Sequence, residues 1–93
     1  TLVNATIYGN STNGEQAHGG GIYMGTGTLA ITNSTITNNV TSAISSYGGG
    51  IFSQSTFTLG NSIVLGNISL SAISNETTFA YTQTGPNLVG GVD

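Results

Sequence analysis

The chain has 93 residues, with no Cys, no Lys or Arg and three acidic residues, so its formal net charge is −3. A chain of this length forms one small domain or one segment of a larger protein. Nucleic-acid binding is excluded because it depends on Lys and Arg side chains that neutralise phosphates. No apolar run approaches the roughly 20 residues that span a bilayer. No cofactor site is predicted, and without Cys there is neither a disulfide nor a Cys-based metal site.

The first ten residues contain a segment that recurs twice. Residues 2–10 read Leu-Val-Asn-Ala-Thr-Ile-Tyr-Gly-Asn, and related segments follow at 31–39 and 59–67, that is, 29 and then 28 residues later. A second motif, Gly-Gly-Gly-Ile followed by an aromatic residue, occupies residues 19–23 and 48–52. Repetition at a fixed period of this length is typical of solenoids.

Each repeat reads as short strands separated by Gly and Asn turns. β-Branched and apolar residues alternate with polar ones, which predicts strands at residues 21–24, 28–32 and 34–38. One coil cannot bury its apolar face alone, so equivalent apolar residues of successive coils are expected to stack. These columns are Leu2, Ile31 and Leu59; Ile7, Ile36 and Val64; Leu29 and Phe57; and Ile22 and Ile51.

The predicted fold is therefore all-β: a right-handed parallel β-helix (β-solenoid) of about three coils of 28–29 residues, with residues 1–93 as a single segment. Residues 40–47 and their counterparts are predicted as the variable side of the coil. After Asn75 the repeat degrades, with further strands predicted within residues 79–84 and 88–89.

Glycine and asparagine recur at fixed places in the coil. The two Gly triplets suit tight bends, because Gly adopts positive φ and allows close approach of the next coil. Asn tolerates left-handed turns, and stacked amides stabilise in-register sheets, so two Asn ladders are predicted. The turn glycines are Gly19, Gly20, Gly21, Gly48, Gly49 and Gly50, and the ladders are Asn4, Asn33 and Asn61 and Asn10, Asn39 and Asn67.

The combination of Gly-Gly-x-Ile with an apolar-x-x-Asn turn resembles the repeats of bacterial surface β-helix proteins. Among these are the polymorphic outer-membrane proteins, whose paired repeats are Gly-Gly-Ala-Ile and Phe-x-x-Asn. In this chain the apolar residue before x-x-Asn is Ile7, Ile36 or Val64 rather than Phe, and a third Gly stands in the first motif. The resemblance implies a secreted or surface-exposed protein with structural or adhesive duties, and it is unspecific for activity.

Catalysis is not predicted. Polysaccharide lyases need clustered carboxylates and a basic residue, and hydrolases need paired carboxylates. Here Glu15, Glu76 and Asp93 are scattered. The single His, His18, is interpreted as a surface group beside a turn, because the second copy has Tyr47 in its place.

Two features point to ligands or modification. Tyr23 and Phe52 share a column and form a candidate ligand-stacking surface for glycans. Six Asn residues begin Asn-x-Ser/Thr sequons, and five of them belong to the ladder columns, so Asn75 is the best candidate for glycosylation.

The favoured hypothesis is a structural, self-associating solenoid at the cell surface or outside the cell, in a fibre, sheath or adhesin stalk. Neither end carries charges that would blunt an unpaired strand edge, so coils of neighbouring copies are expected to stack end to end. Two alternatives stay open: a glycan-binding recognition module, and the non-catalytic flank of a polysaccharide-degrading β-helix enzyme.

Overall fold

The strands of the chain are two to four residues long and all pair in parallel. The computed structural model describes residues 1–71, 75–78 and 80–90, which form a β-solenoid of about three turns and include no helix. Within them the strands are β1 (Leu2–Val3), β2 (Thr6–Tyr8), β3 (Ser11–Thr12), β4 (Ile22–Met24), β5 (Ala30–Thr32), β6 (Thr35–Thr37), β7 (Val40–Thr41), β8 (Ile51–Ser53), β9 (Phe57–Gly60), β10 (Ile63–Leu65), β11 (Ile68–Ser69), β12 (Tyr81–Gln83) and β13 (Leu88–Val89).

Successive coils stack so that each residue lies opposite the equivalent residue of the next coil. Leu2 is opposite Ile31, and Ile31 is opposite Leu59, as the period of 29 and 28 residues predicts. The same holds for the column that runs through Ile36 and for the pair Ile22 and Ile51. The parallel β-solenoid is thereby confirmed, and its right-handed winding stays a prediction.

Each coil has four faces rather than the three that the strand pattern predicts. The sheets are β1-β5-β9-β12, β2-β6-β10-β13, β3-β7-β11 and β4-β8. The additional face is built by β3, β7 and β11 at the start of the segment interpreted as variable. A two-residue strand is too short to show alternation, which is why the sequence pattern does not reveal this face.

The core is a single cluster of apolar side chains, which stack in columns inside the coils. Its buried members are Ile31, Ile36, Ile51, Phe57, Leu59 and Val64. Alternation places the neighbouring threonines, such as Thr35 and Thr37, on the outer surface, where they are half-buried between coils. Apolar burial at about 25 cal/mol per Å² therefore accumulates along the axis with every added coil.

A partial fourth turn covers the third coil. β12 lies on β9, with Tyr81 opposite Phe57, and β13 lies on β10, with Val89 opposite Val64. Both strands were predicted; Phe79, at the start of the first, lies outside the described residues. In the described part of the chain no helix has the length and apolar character to cross a membrane.

Candidate functional site

A row of hydrogen-bonded amides runs along three coils, from the exposed Asn10 to the buried Asn39 and Asn67. The Asn39 side-chain oxygen accepts hydrogen bonds from the backbone N–H and the Nδ2 of Asn10, both at 3.0 Å. The Asn67 oxygen accepts in the same way from Asn39, at 3.0 and 2.9 Å. Each buried Nδ2 also donates to a carbonyl of the preceding coil, at Ile7 and Ile36. In this Asn row the hydrogen bonds from one Asn to the next are all donated toward the C-terminal end.

A buried carboxylate ends the Asn row. Glu76 accepts from the backbone N–H of Gly66 at 2.9 Å and from that of Asn67 at 3.2 Å, and from the Asn67 Nδ2 at 2.6 Å. Its carboxylate oxygens accept the hydrogen bonds that the Asn of a further coil would accept from Asn67. Hydrogen bonds to an ionised acceptor are short and strong. A carboxylate only accepts hydrogen bonds and cannot donate one to a further residue, so the row ends at Glu76.

Glu76 is in register with the third glycine of each triplet. Ile51 bridges to Thr77, so the residue before each, Gly50 and Glu76, is equivalent. A Cβ at Gly50 would lie 2.8 Å from the Asn67 Nδ2 and 2.7 Å from the Glu76 carbonyl oxygen, which leaves no room for it. The first glycine of the triplet has a different role: Gly48 forms the bend, with φ of 67°, which Gly adopts without strain.

Gly50→Ala is expected to lower the free energy of unfolding by about 1–3 kcal/mol, because the added methyl overpacks the Asn row. Urea denaturation measures the change. Gly25→Ala is the matched control, since its Cβ would meet only the Tyr23 ring, at 3.4 Å. An equal loss in the two variants would contradict the close contact with Asn67.

The other Asn column has a different role from the predicted ladder. Asn4, Asn33 and Asn61 have φ of 53°, 51° and 49° and are exposed. No hydrogen bond joins these three side chains, all of which belong to the described residues. They turn the chain in the left-handed region, where Asn is tolerated among non-Gly residues.

The residue after each of these turns enters a second polar row. The backbone N–H of Ala5 donates to the Ser34 hydroxyl at 3.2 Å, and that of Ser34 donates to the Ser62 hydroxyl at 3.0 Å. Asn87 ends this Ser row, since its Oδ1 accepts from the Ser62 N–H at 2.9 Å. In the sequence this column is recognisable only as one of small residues, Ala5, Ser34 and Ser62.

The two ends of the solenoid are thus unlike, contrary to the expectation of unblunted edges at both. At the C-terminal end, side-chain oxygens of Asn75, Glu76, Thr78 and Asn87 accept from backbone N–H groups of the second and third coils. We call these four residues the polar cap. Solenoids need such polar ends for solubility. Sequence reasoning missed the cap, and its one signal was an acid in the register of the glycine triplet.

The candidate stacking residues do lie together. The rings of Tyr23 and Phe52 are 5.1 Å apart between centroids and 11° from parallel. The His18 ring stacks on Phe52 at 4.6 Å and 15° and contacts Tyr47 at 5.2 Å. His18 is therefore half-buried in an aromatic cluster rather than a free surface group.

An open groove of about 600 Å³ runs beside these rings. It is lined by Thr12, Asn13, Gln16, Ala17, His18, Tyr23, Phe52 and Gln54. We call it the aromatic groove. Two atoms of lining residues, the Thr12 Oγ1 and the His18 Nδ1, are buried without a hydrogen-bond partner.

Asn75, the candidate glycosylation site, is half-buried, and its Oδ1 accepts from the Ser69 N–H at 2.7 Å. Its modification stays a prediction. In the part of the chain that the structure describes, no three side chains of His, Cys, Asp or Glu group together in a way that could hold a metal ion.

Comparisons of the chain with protein-family models, with curated proteins and with solved structures found no match. The likeness to bacterial surface repeats therefore stays an expectation drawn from the motifs, whereas the parallel β-solenoid is observed.

Proposed function

We propose that the chain is a structural, non-catalytic segment of an extracellular β-solenoid in a surface fibre, sheath or adhesin stalk. In this proposal a further coil, from a neighbouring segment or a second copy, stacks on the N-terminal end. Its extracellular placement is supported only by the resemblance of the motifs to surface repeats. The observation that carries the structural role is the contrast in burial between the first coil and the second.

The first coil leaves part of the core open. In the second coil Ile31 is 1% exposed and Ile36 is 0% exposed, because coils lie on both sides. Their equivalents in the first coil, Leu2 and Ile7, are only half-buried. A further coil would bury this apolar surface and pair with the free edges of the first coil, and such edges invite pairing.

The Asn row is also open at this end. Asn10 donates to Asn39, and its side-chain oxygen accepts no hydrogen bond within the described residues. That oxygen occupies the place in the first coil that the Asn39 oxygen occupies in the second. An Asn of an added coil would find there the acceptor that the repeat provides elsewhere.

Light scattering tests the proposal with a matched pair of variants. Val3 and Leu88 are each 54% exposed, on the first coil and on the partial fourth turn. Lys on an edge strand opposes pairing, so Val3→Lys is expected to weaken association and Leu88→Lys to leave it unchanged. Dimers would indicate pairing of N-terminal ends. Fibres would show that coils also join at the polar cap, and a monomer at all concentrations would contradict the proposal.

A second candidate function, glycan recognition, is favoured by the aromatic groove, which combines exposed ring surface with amide side chains. The third hypothesis, a non-catalytic flank of a polysaccharide-degrading enzyme, stays a prediction.

A further inference from the structure

We propose that the aromatic groove binds an uncharged saccharide, with Tyr23 as the ring on which the sugar stacks. This inference rests on the second candidate function. Because one face of Tyr23 stacks on Phe52 of the next coil, its other face is on the open N-terminal side, where a bound sugar and an added coil would exclude each other. It draws on three properties of the groove: an exposed ring held in place, free amides, and the absence of charged lining residues.

Tyr23 is the exposed ring of the aromatic cluster. Its side chain is 58% exposed, whereas Phe52 is half-buried between coils. Phe52 contacts both Tyr23 and His18, with ring planes within 15° of its own. Phe52 therefore holds Tyr23, and the surface that Tyr23 leaves to solvent is available to the C–H face of a sugar ring.

Three amide side chains line the same groove as this ring. Asn13, Gln16 and Gln54 line the groove and are exposed, and their side chains make no hydrogen bond within the described residues. Each primary amide offers two donors and an acceptor. A sugar hydroxyl both donates and accepts, so amides are suited to neighbouring hydroxyls in a way that a charged group alone is not.

A further argument for a polar ligand is that the Thr12 Oγ1 and the His18 Nδ1 are buried and lack hydrogen-bond partners within the described residues. Buried polar groups nearly always have a hydrogen-bond partner, and these two do not. Both residues line the groove, so a ligand that shifts their side chains slightly could supply the missing partners. An apolar ligand would leave both atoms unsatisfied.

The charge of the chain decides which saccharides fit. There is no Lys or Arg in the sequence, so an acidic sugar would meet no permanent cation. No acidic residue lines the groove either. The volume of about 600 Å³ lies within the roughly 300–1,000 Å³ of small-ligand sites. An uncharged oligosaccharide is the ligand class that these properties share.

Titration calorimetry with neutral tetrasaccharides of glucose, mannose and N-acetylglucosamine, and with a tetrasaccharide of galacturonic acid, tests the proposal. We expect a neutral probe to bind, and Tyr23→Ala to weaken that binding by about tenfold or more, which is 1.4 kcal/mol. Tyr23→Phe keeps the ring and is expected to keep the binding. Tyr8→Ala is the matched control, since Tyr8 is 63% exposed on another sheet.

The remaining outcomes are each decisive. Gln54→Ala is expected to weaken binding about threefold or more, consistent with the loss of a net hydrogen bond. Neutral binding that survives Tyr23→Ala would overturn the site, and binding of the galacturonate probe alone would overturn the ligand class. If no probe binds, glycan recognition itself fails, while the structural proposal is untouched. A thermal melt of each variant verifies that it folds.

Discussion

Replacing Asn39 by Leu is expected to lower the free energy of unfolding by about 3–5 kcal/mol, since several buried or part-buried polar groups lose their partners at about 1–3 kcal/mol for each fully buried group. The Asn39 side chain accepts two hydrogen bonds from Asn10 and donates to Asn67 and to the Ile7 carbonyl. Leu has a similar volume, so the loss comes from hydrogen bonds and not from a cavity. A chain of this size has only about 5–15 kcal/mol in all.

Urea denaturation of Asn39→Leu and Asn33→Leu separates the two Asn columns. Asn33 is exposed, and its side chain makes no hydrogen bond to any described residue, so its replacement by Leu is expected to cost only the left-handed backbone strain of about 1–2 kcal/mol. Asn33→Gly removes even that strain and is expected to be near neutral. Equal losses for the two Leu variants would contradict the amide row.

The period and the apolar columns of the fold are predictable from the sequence. Leu2, Ile31 and Leu59 recur at the same place, and only stacking of coils buries all three. The physical reason is that the core is made by equivalent residues in contact, so one register explains every column. The same regularity brings Tyr23 and Phe52 together, as the sequence predicts.

The residue type alone could not show which Asn column forms the left-handed turns and which forms the hydrogen-bonded row, because Asn is suited to both roles. A left-handed residue comes immediately before each polar row. Asn33 precedes Ser34, and Asn38, with φ of 56°, precedes Asn39. In the neighbouring coils Gly9 and Gly66 replace Asn38 and also have positive φ. A column that mixes Gly and Asn therefore marks the turn, and the residue after it points inward.

The polar cap could not be predicted from the sequence for another reason. Where a third glycine triplet is expected, the sequence has Ser-Asn-Glu at residues 74–76, and Thr77 stands in the register of Ile51, so the repeat is not recognisable there. Gly50 is small because the Asn67 amide lies against it. At Glu76 no further amide of the described residues packs against the backbone, so a side chain is allowed, and this side chain itself accepts the hydrogen bond of the Asn67 amide. The departure from the repeat is thus the residue that ends the row.

Glu76→Ala is accordingly expected to lower the free energy of unfolding by about 3 kcal/mol or more, since bonds to a charged acceptor contribute about 1.5–3 kcal/mol each. The N–H of Gly66, the N–H of Asn67 and the Asn67 Nδ2 would lose their acceptor. Glu76→Gln keeps one oxygen and is expected to cost less, about 1–2 kcal/mol, because the charge assistance is lost.

Thermal and urea unfolding of both variants, with Glu15→Gln as control, measure the effect. Glu15 is an exposed acid, so its neutralisation is expected to change stability by less than about 0.5 kcal/mol. Hydrogen exchange adds a local measurement: the amide of Asn67 should lose protection in Glu76→Ala before that of Asn39, because the row opens from its capped end. Unchanged protection at Asn67 would show that the carboxylate does not hold the row closed.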